Sequence, residues 1–378
     1  MIVIADDITG AAEIAGIAFA RGEAVRLVCG CVTATYRTAT YSTNETTVIA
    51  TDTRSMSEPE AVAETRHIAS SIIHHPSSIF KKTDSALRGH VVAELAALMQ
   101  ATGYERAVYL PANPSKGRVI RNGIYYINNV PIHETPFSYD PEFPAKTSVL
   151  KERFPDTEAH HIIMPDAESE EDIRNVIAEY NDGKTIFAGA ADLFSAMIGM
   201  GCLAIDFFNR PHPMPIIQAQ NSSLFESVAL QSLILCGSTQ SKTLDLGIPV
   251  APMPQEIYDG SDDLSLWDVS AYSKQHSLIL TIPHTHRTGK DVAVHLRTVM
   301  AEMTKRLVAQ HCPKHLMIEG GATAWATLQA LGWADFTITA QLAPGVVQMS
   351  AANGTLVTLK PGSYSWGSLF NKTDRYLR

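Results

Sequence analysis

The chain has 378 residues, 45% of them hydrophobic and 18% charged, and a net charge of −9. That length can bury a large core and favours two or three domains at ~100–200 residues each, while the acidic balance and the lack of a long basic stripe argue against a polyanion such as DNA. No apolar run approaches the ~20 residues needed to span a bilayer, so neither nucleic acid nor membrane is an expected partner.

The chain opens with an apolar strand, Ile2–Ala5, and runs directly into Asp6 and Asp7. With no basic region or small-residue cleavage site before it, this start does not read as a signal peptide. A helix follows from about Thr9 to Arg21, then strands at Val25–Cys29 and Thr47–Thr51 and a helix from about Glu58 to Ile73. Strands alternating with helices in this way are the signature of βαβ units around a mostly parallel sheet. Cys29, Cys31, Cys202, Cys236 and Cys312 form an odd set without a CxxC pair, as expected of reduced thiols in a cytoplasm.

Polar groups collect where strands end. Asp6 and Asp7 leave the first strand, and Thr51-Asp52-Thr53-Arg54 leaves the third. In open α/β sheets ligands sit at the carboxyl ends of strands, which suits one aspartate as a hydroxyl acceptor or general base and the other as a helix cap. Lys81-Lys82-Thr83-Asp84-Ser85-Ala86-Leu87-Arg88-Gly89-His90 then offers cations for a carboxylate or phosphate and an acceptor for sugar hydroxyls. Val91, Val92, Leu95 and Leu98 recur at helical spacing after it, so Asp84 or Ser85 is expected to cap that helix. Capping alone is the competing explanation for both acidic segments.

Beyond the strand Ala107–Leu110, Pro111-Ala112-Asn113-Pro114-Ser115-Lys116-Gly117-Arg118 adds two cations that could face an anion or solvent. Between Pro111 and Pro155 the texture turns to Pro, Gly, Asn and aromatics, with a hairpin expected where Ile124–Ile127 and Val130–Ile132 flank Asn128-Asn129. The α/β rhythm resumes at His161–Met164, Thr185–Ala188 and Leu203–Asp206. Pro211, Pro213 and Pro215 then suit an extended linker and a domain boundary, giving domains of residues 1–212 and 213–378.

In the second half, strands at Leu233–Cys236, His315–Ile318 and Leu356–Lys360 run into Gly237-Ser238, Gly320-Gly321 and Pro361-Gly362. A strand feeding a glycine turn and a helix lets backbone N–H groups approach an anion, and three such turns suggest one nucleotide site built from several loops. Gly183-Lys184-Thr185 fails as a P-loop because Ala178 stands at its first glycine and a strand follows. The paired histidines lack a third ligand at an established spacing and do not support a metal site.

Taken together, Ala5-Asp6-Asp7-Ile8-Thr9-Gly10-Ala11, Thr51-Asp52-Thr53-Arg54, the Lys81–Gly89 segment, Pro111–Arg118, Gly237-Ser238, Gly320-Gly321, Ala343-Pro344-Gly345-Val346 and Lys360-Pro361-Gly362-Ser363 resemble the four-carbon acid sugar kinase family, in the family's order and across nearly the whole chain. The resemblance implies an N-terminal sugar-acid-binding domain, a C-terminal ATP-binding domain and a cleft between two α/β domains with mostly parallel sheets. It implies transfer of the γ-phosphoryl of ATP, with Mg²⁺, to the terminal hydroxyl of threonate, erythronate or a 3-oxo-tetronate. It places the substrate at Asp7, Arg54, Lys82, Thr83, Asp84, Ser85 and Arg88, and ATP at Ser238, Glu319, Gly320, Gly321, Ala322 and Gly362.

In the mechanism so implied, Arg54 and Lys82 hold the carboxylate, Asp84 or Asp7 acts as base, and Mg²⁺ bridges the ATP phosphates. The chain departs from the family's pattern at Thr239 and at Ala322, where a second serine and a glutamate are usual. A kinase of another small hydroxy acid and a non-catalytic sugar-acid or nucleotide sensor are the alternatives. A homodimer is left open by the sequence.

Overall fold

Strand pairing follows the alternation expected of the sequence, and it assembles the strand ends into rows. The computed structural model describes residues 1–30, 42, 44–73, 78–140, 142–200, 230–237, 247–272, 275–283 and 289–362. The chain forms two compact units, one of Met1–Ala18 with Glu23–Arg210 and one of Phe19–Gly22 with Pro211–Arg378. The expected boundary at residues 212 and 213, the Pro211–Pro215 linker and the Leu203–Asp206 strand lie outside the described residues.

In the first unit the elements run β1 (Ile2–Ala5), α1 (Ile8–Ala20), β2 (Val25–Cys29), β3 (Thr46–Ala50), α2 (Glu58–Ile72), β4 (Ile79–Lys82), α3 (Val91–Thr102) and β5 (Arg106–Leu110). After them come β6 (Arg118–Arg121), β7 (Ile124–Ile127), β8 (Val130–Pro131), a short helix α4 (Leu150–Arg153), β9 (Ile162–Ile163), α5 (Glu170–Tyr180), β10 (Thr185–Gly189) and α6 (Ala191–Gly199). Parallel pairing gives the order β2-β3-β1-β4-β10-β5-β9. β1, β3 and β10 are buried throughout, as near-continuous apolar strands covered on both faces should be. Register aligns Ala50, Ala5, Lys82, Gly189 and Leu110 in one row, so the residues after them share one edge.

The expected hairpin is present: β6, β7 and β8 form a separate antiparallel sheet, and Asn128 and Asn129 turn with φ of 51° and 63°. Two successive left-handed residues are what a tight two-residue turn needs, and Asn tolerates that region better than most side chains.

The expectation that Asp84 or Ser85 caps the following helix is corrected. α3 starts at Val91 with His90 as its first flanking residue, and residues 83–90 form a loop between β4 and the helix. Leu87 at φ 63° and Gly89 at φ 96° cannot be helical, so the cap is separated from the helix it was expected to serve.

The second unit contains β11 (Ser232–Cys236), β12 (Val250–Pro252), a short helix α7 (Gln255–Tyr258), β13 (Ser277–Thr281), α8 (Lys290–His311), β14 (His315–Glu319), α9 (Gly321–Leu331), β15 (Asp335–Ala343), β16 (Val346–Ala351) and β17 (Leu356–Lys360). Its strand order is β12-β13-β11-β14-β17-β16-β15, parallel from β12 to β17 and antiparallel from β17 to β15. Cys236, Glu319 and Lys360 stand side by side in register. Among the described residues, no helix is long and apolar enough to cross a membrane.

Candidate functional site

The row of strand ends in the first unit carries a dense set of charges. Asp7 precedes α1 and caps it: its Oδ1 accepts from Gly10 N at 3.0 Å and its Oδ2 from Thr9 Oγ1 at 2.6 Å. Asp6 does not cap. It takes the Arg54 fork, with Nε at 3.0 Å and Nη2 at 2.8 Å, and the same Nη2 lies 3.0 Å from Asp7 Oδ1 and 3.8 Å from Asp84 Oδ1. One guanidinium, from the end of β3, therefore ties three carboxylates from the ends of β1 and β4. The turn carrying Arg54 is stitched to β1 by Thr51 Oγ1 on Ala5 O and by Arg54 N on Asp6 O.

Adjacent lysines on a strand point to opposite faces, and Lys81 and Lys82 accordingly have different surroundings. Lys81 is buried and donates to Glu94 Oε2 of α3 at 2.5 Å, an oxygen that also accepts from Thr53 and Thr65. Lys82 donates to Thr83 O at 2.8 Å and lies 3.9 Å from Glu13 on α1. A Cβ on Gly10 would stand 2.5 Å from Asp7 Oδ1 and 3.1 Å from Lys82 Nζ, so only glycine lets both groups close on the helix start.

Asp84 closes the loop after β4. Its Oδ2 accepts from the backbone of Ala86 and Arg88 and from Arg88 Nε, while its Oδ1 takes Arg88 Nη2 at 3.1 Å. Burial works against the charge of Asp84, but Arg54 and Arg88 outweigh it and hold the carboxyl far below the usual carboxylate range. Burial likewise opposes ionisation of Asp7, yet Arg54 and Lys82 bring it below its ordinary value. For Asp6 burial prevails and the carboxyl is pushed up despite Arg54. The Thr83 hydroxyl is buried without a partner among the described residues.

Ser85 accepts from Arg118 through its hydroxyl and from Tyr125 OH through its carbonyl. Arg118 and Tyr125 sit on β6 and β7, so the small antiparallel sheet fastens the 83–90 loop. Arg118 and Arg88 each stand 5.8 Å from the centre of the Phe137 ring.

The second unit's edge is built differently. Glycines follow the strand ends: a Cβ on Gly237 would collide with Thr323 of α9, and Gly320 takes φ 98° while its N–H donates to Lys360 O at 2.9 Å. α9 begins at Gly321 with no side-chain cap, so its first N–H groups present the positive end of the helix dipole. Beneath these turns Lys360 and Glu319 form a buried pair at 3.4 Å, and Lys360 Nζ donates to Pro361 O at 3.0 Å and reaches Gly362 O at 3.5 Å. Burial lowers the Lys360 ammonium and Glu319 opposes that shift, while burial and Glu319 together push the neighbouring Cys236 thiol up to about 12.

Comparison with known proteins connects the two edges. A family model described as a sugar-binding N-terminal domain matches residues 1–162, and one described as a nucleotide-binding C-terminal domain matches residues 269–364. A 3-oxo-tetronate kinase of Brucella melitensis is 23% identical over 99% of this chain and 94% of its own length. The chain thus carries a sugar-binding N-terminal domain and a nucleotide-binding C-terminal domain. Other relatives are a D-threonate kinase of Salmonella typhimurium, 32% identical over 40% of this chain, and a D-erythronate kinase of Heliobacterium modesticaldum, 28% identical over 40%. The matches span 35% and 34% of the length of those two relatives. Two solved structures have the same fold: one from Haemophilus influenzae (19% identity, 98% of each chain, TM-score 0.65) and one from Salmonella typhimurium LT2 (18% identity, 100% of this chain and 99% of that one, TM-score 0.73).

Of the residues that the family resemblance singled out, Asp7, Arg54, Lys82, Thr83, Asp84, Ser85 and Arg88 come together at one sheet edge. Glu319, Gly320, Gly321, Ala322 and Gly362 gather at the other unit's edge, and Ser238 lies outside the described residues. Sequence reasoning left out the paired roles of Glu94, Arg118, Tyr125 and Lys360. Only Lys360 and Arg118 carried a signal, as cations inside motifs already marked.

Proposed function

We propose that this chain is an ATP-dependent kinase that phosphorylates the terminal hydroxyl of a four-carbon sugar acid. The observation that carries the reading is the pairing, in one chain, of an edge made of ionised side chains with an edge made of glycine turns. A polyhydroxy acid needs discriminating acceptors and cations, whereas a triphosphate is well held by backbone N–H groups at a helix start.

On the first edge Asp7 and Asp84 accept substrate hydroxyls, and Thr83 lines the same turn. Lys82, Arg54 and Arg88 keep both aspartates ionised, and Arg54 acts chiefly by fixing where those carboxylates point. Asp84 meets the attacking hydroxyl as an orienting acceptor and not as a base, because a carboxylate held so far below neutral pH is a weak proton acceptor. Phosphoryl transfer tolerates this, since it depends mainly on positioning and charge stabilisation. On the second edge Ser238, the turns at Gly320-Gly321 and Gly362 and the start of α9 hold the phosphates, with Glu319 and Lys360 bracing those two turns from below. Mg²⁺ would arrive on the ATP phosphates and supply neutralisation of their developing charge. The buried Cys236, in no disulfide, fits a reducing, cytoplasmic setting.

The test is ADP release from Mg·ATP with D- and L-threonate, D- and L-erythronate and their 3-oxo forms. Release with one acid well above the acid-free background is expected. Silence across the panel with measurable ATP binding would remove the reading.

A further inference from the structure

We propose that Arg118 is the residue that recognises the substrate's carboxylate, with Arg88 beside it and Phe137 as their shared platform. This inference rests on the kinase reading and names the determinant that separates an acid from a neutral polyol.

Most of the positive charges near this turn are already engaged. Arg54 is forked onto Asp6 and touches Asp7. Lys81 is paired with Glu94 and Lys116 with Glu13. Lys82 is turned to Thr83 O and Glu13, and Arg153 donates to the carbonyls of Leu87 and Pro144. Arg88 gives Nε and Nη2 to Asp84 and keeps only Nη1, which stands 3.6 Å from Asp140. Arg118 differs from all of them: among the described residues its side chain meets the Ser85 hydroxyl and the face of Phe137, and no carboxylate.

A guanidinium stacked on a ring uses its face for that contact and leaves the in-plane N–H donors at its rim. Those donors form the fork that a carboxylate matches in bidentate fashion. Arg118 is also well positioned. It opens β6, its backbone is bonded in both directions to Asn113, and Gly117 before it turns with φ 66°. Asp84 and Ser85 are consecutive and hold Arg88 and Arg118 respectively, which brings both guanidiniums to the one ring beside the hydroxyl-accepting turn. An acid seated there places its carboxylate against the uncompensated charge and its hydroxyls toward Asp84 and Asp7.

The experiment is isothermal titration of the full chain with the threonates and erythronates, and with threitol and erythritol, using wild type, Arg118→Gln and Arg118→Lys, alongside steady-state kinetics. Arg118→Gln is expected to weaken acid binding by about 30-fold, the effect of losing a charge-assisted pair, with polyol binding, ATP KM and melting temperature unchanged. Arg118→Lys is expected to recover part of the loss, because it restores the charge without the fork. Wild-type acid affinity in Arg118→Gln, or equal losses for acid and polyol, overturns the proposal. Binding needs no turnover, so the two readings separate: acid binding that depends on Arg118 without ADP release keeps the clamp and removes the kinase, while turnover that ignores Arg118 does the reverse. If Arg118→Gln melts early, Arg118→Lys decides, since an unchanged acid affinity in a stable lysine variant also overturns the proposal. Wild type that binds none of the acids overturns both.

Discussion

The two sheet edges are built in opposite ways. At the first, carboxylates and cations from Asp6 to Arg88 neutralise one another through short contacts, and the ligand would enter an already charged lattice. At the second, charge is withdrawn below the surface into the Glu319–Lys360 pair, and the exposed chemistry is backbone. On the proposed function, the contrast would leave selectivity among sugar acids to side chains, which mutation can alter one at a time, and phosphate binding to chain geometry set by glycine turns.

The largest expected effect tests whether the first edge depends on its buried foundation. Lys81→Met strands Glu94 without its ammonium, and urea unfolding should register a loss of ~3–5 kcal/mol, much of it regained by adding Glu94→Gln. A single variant as stable as wild type would show that the pair does not support the edge.

Next comes the chemistry of that edge. Asp84→Asn should lower kcat/KM for the acid by about 10²–10³-fold with ATP KM unchanged, by analogy with removing one positioned charge partner from an active site. Near-normal turnover would take Asp84 out of the site.

The geometric edge is probed by Gly237→Ala, whose new methyl meets Thr323. A cost of roughly 1–3 kcal/mol in stability is expected from overpacking, with a raised ATP KM, and Thr323→Ala added to it should recover part of both. An unchanged ATP KM would separate this close approach from nucleotide binding.

The smallest effect contrasts the units in acid. Burial holds the His315 imidazole down to about 4, and its Nε2 lies 2.7 Å from Thr358 Oγ1. Between that value and the unfolded value near 6.5 the unfolded chain binds the extra proton, so stability falls as pH falls. From pH 7 to 5 the loss should be roughly 2 kcal/mol, and it should shrink in His315→Asn. An identical pH slope in the variant would exclude His315. Asp84, whose pKa is depressed, instead loses its contribution only in stronger acid, as pH falls below the ordinary carboxylate range.

What could be read from the sequence was local and periodic. The strand at Val25–Cys29, the helix after Ser57 and the Asn128-Asn129 hairpin each had a short-range signal that nothing in the fold opposed. The failure of Gly183-Lys184-Thr185 as a phosphate loop was legible too, since Gly183 simply turns the chain, with φ 77°, into β10. Asp84 was misread as a helix cap because its spacing to Val91 resembled one, while the left-handed Leu87 between them leaves no trace in composition. The pairs Lys81–Glu94 and Lys360–Glu319, and the contact of Arg118 with Ser85, join residues 13, 41 and 33 positions apart. Spacings of that size carry no periodic signal, so Lys81 and Lys360, which look like solvated or functional cations, prove to be internal ties. The β15–β16 hairpin went unread although burial alternates along Phe336–Ile338 and Val347–Ala351.

The position of β10 sets an order of events for the growing polypeptide. β10 lies between β4 and β5, which do not pair with each other, and the Thr83 N–H donates to Gly189 O at 3.0 Å. Until residue 189 has left the ribosome, the sheet has a gap beside β4 and the turn bearing Asp84 lacks one of its anchors. At about 5–20 residues per second, roughly a hundred residues are made while the 83–90 turn waits for a strand. Nascent chains arrested before Thr185 are therefore expected to leave the 83–90 loop open to limited proteolysis, and chains arrested well beyond Gly189 to protect it.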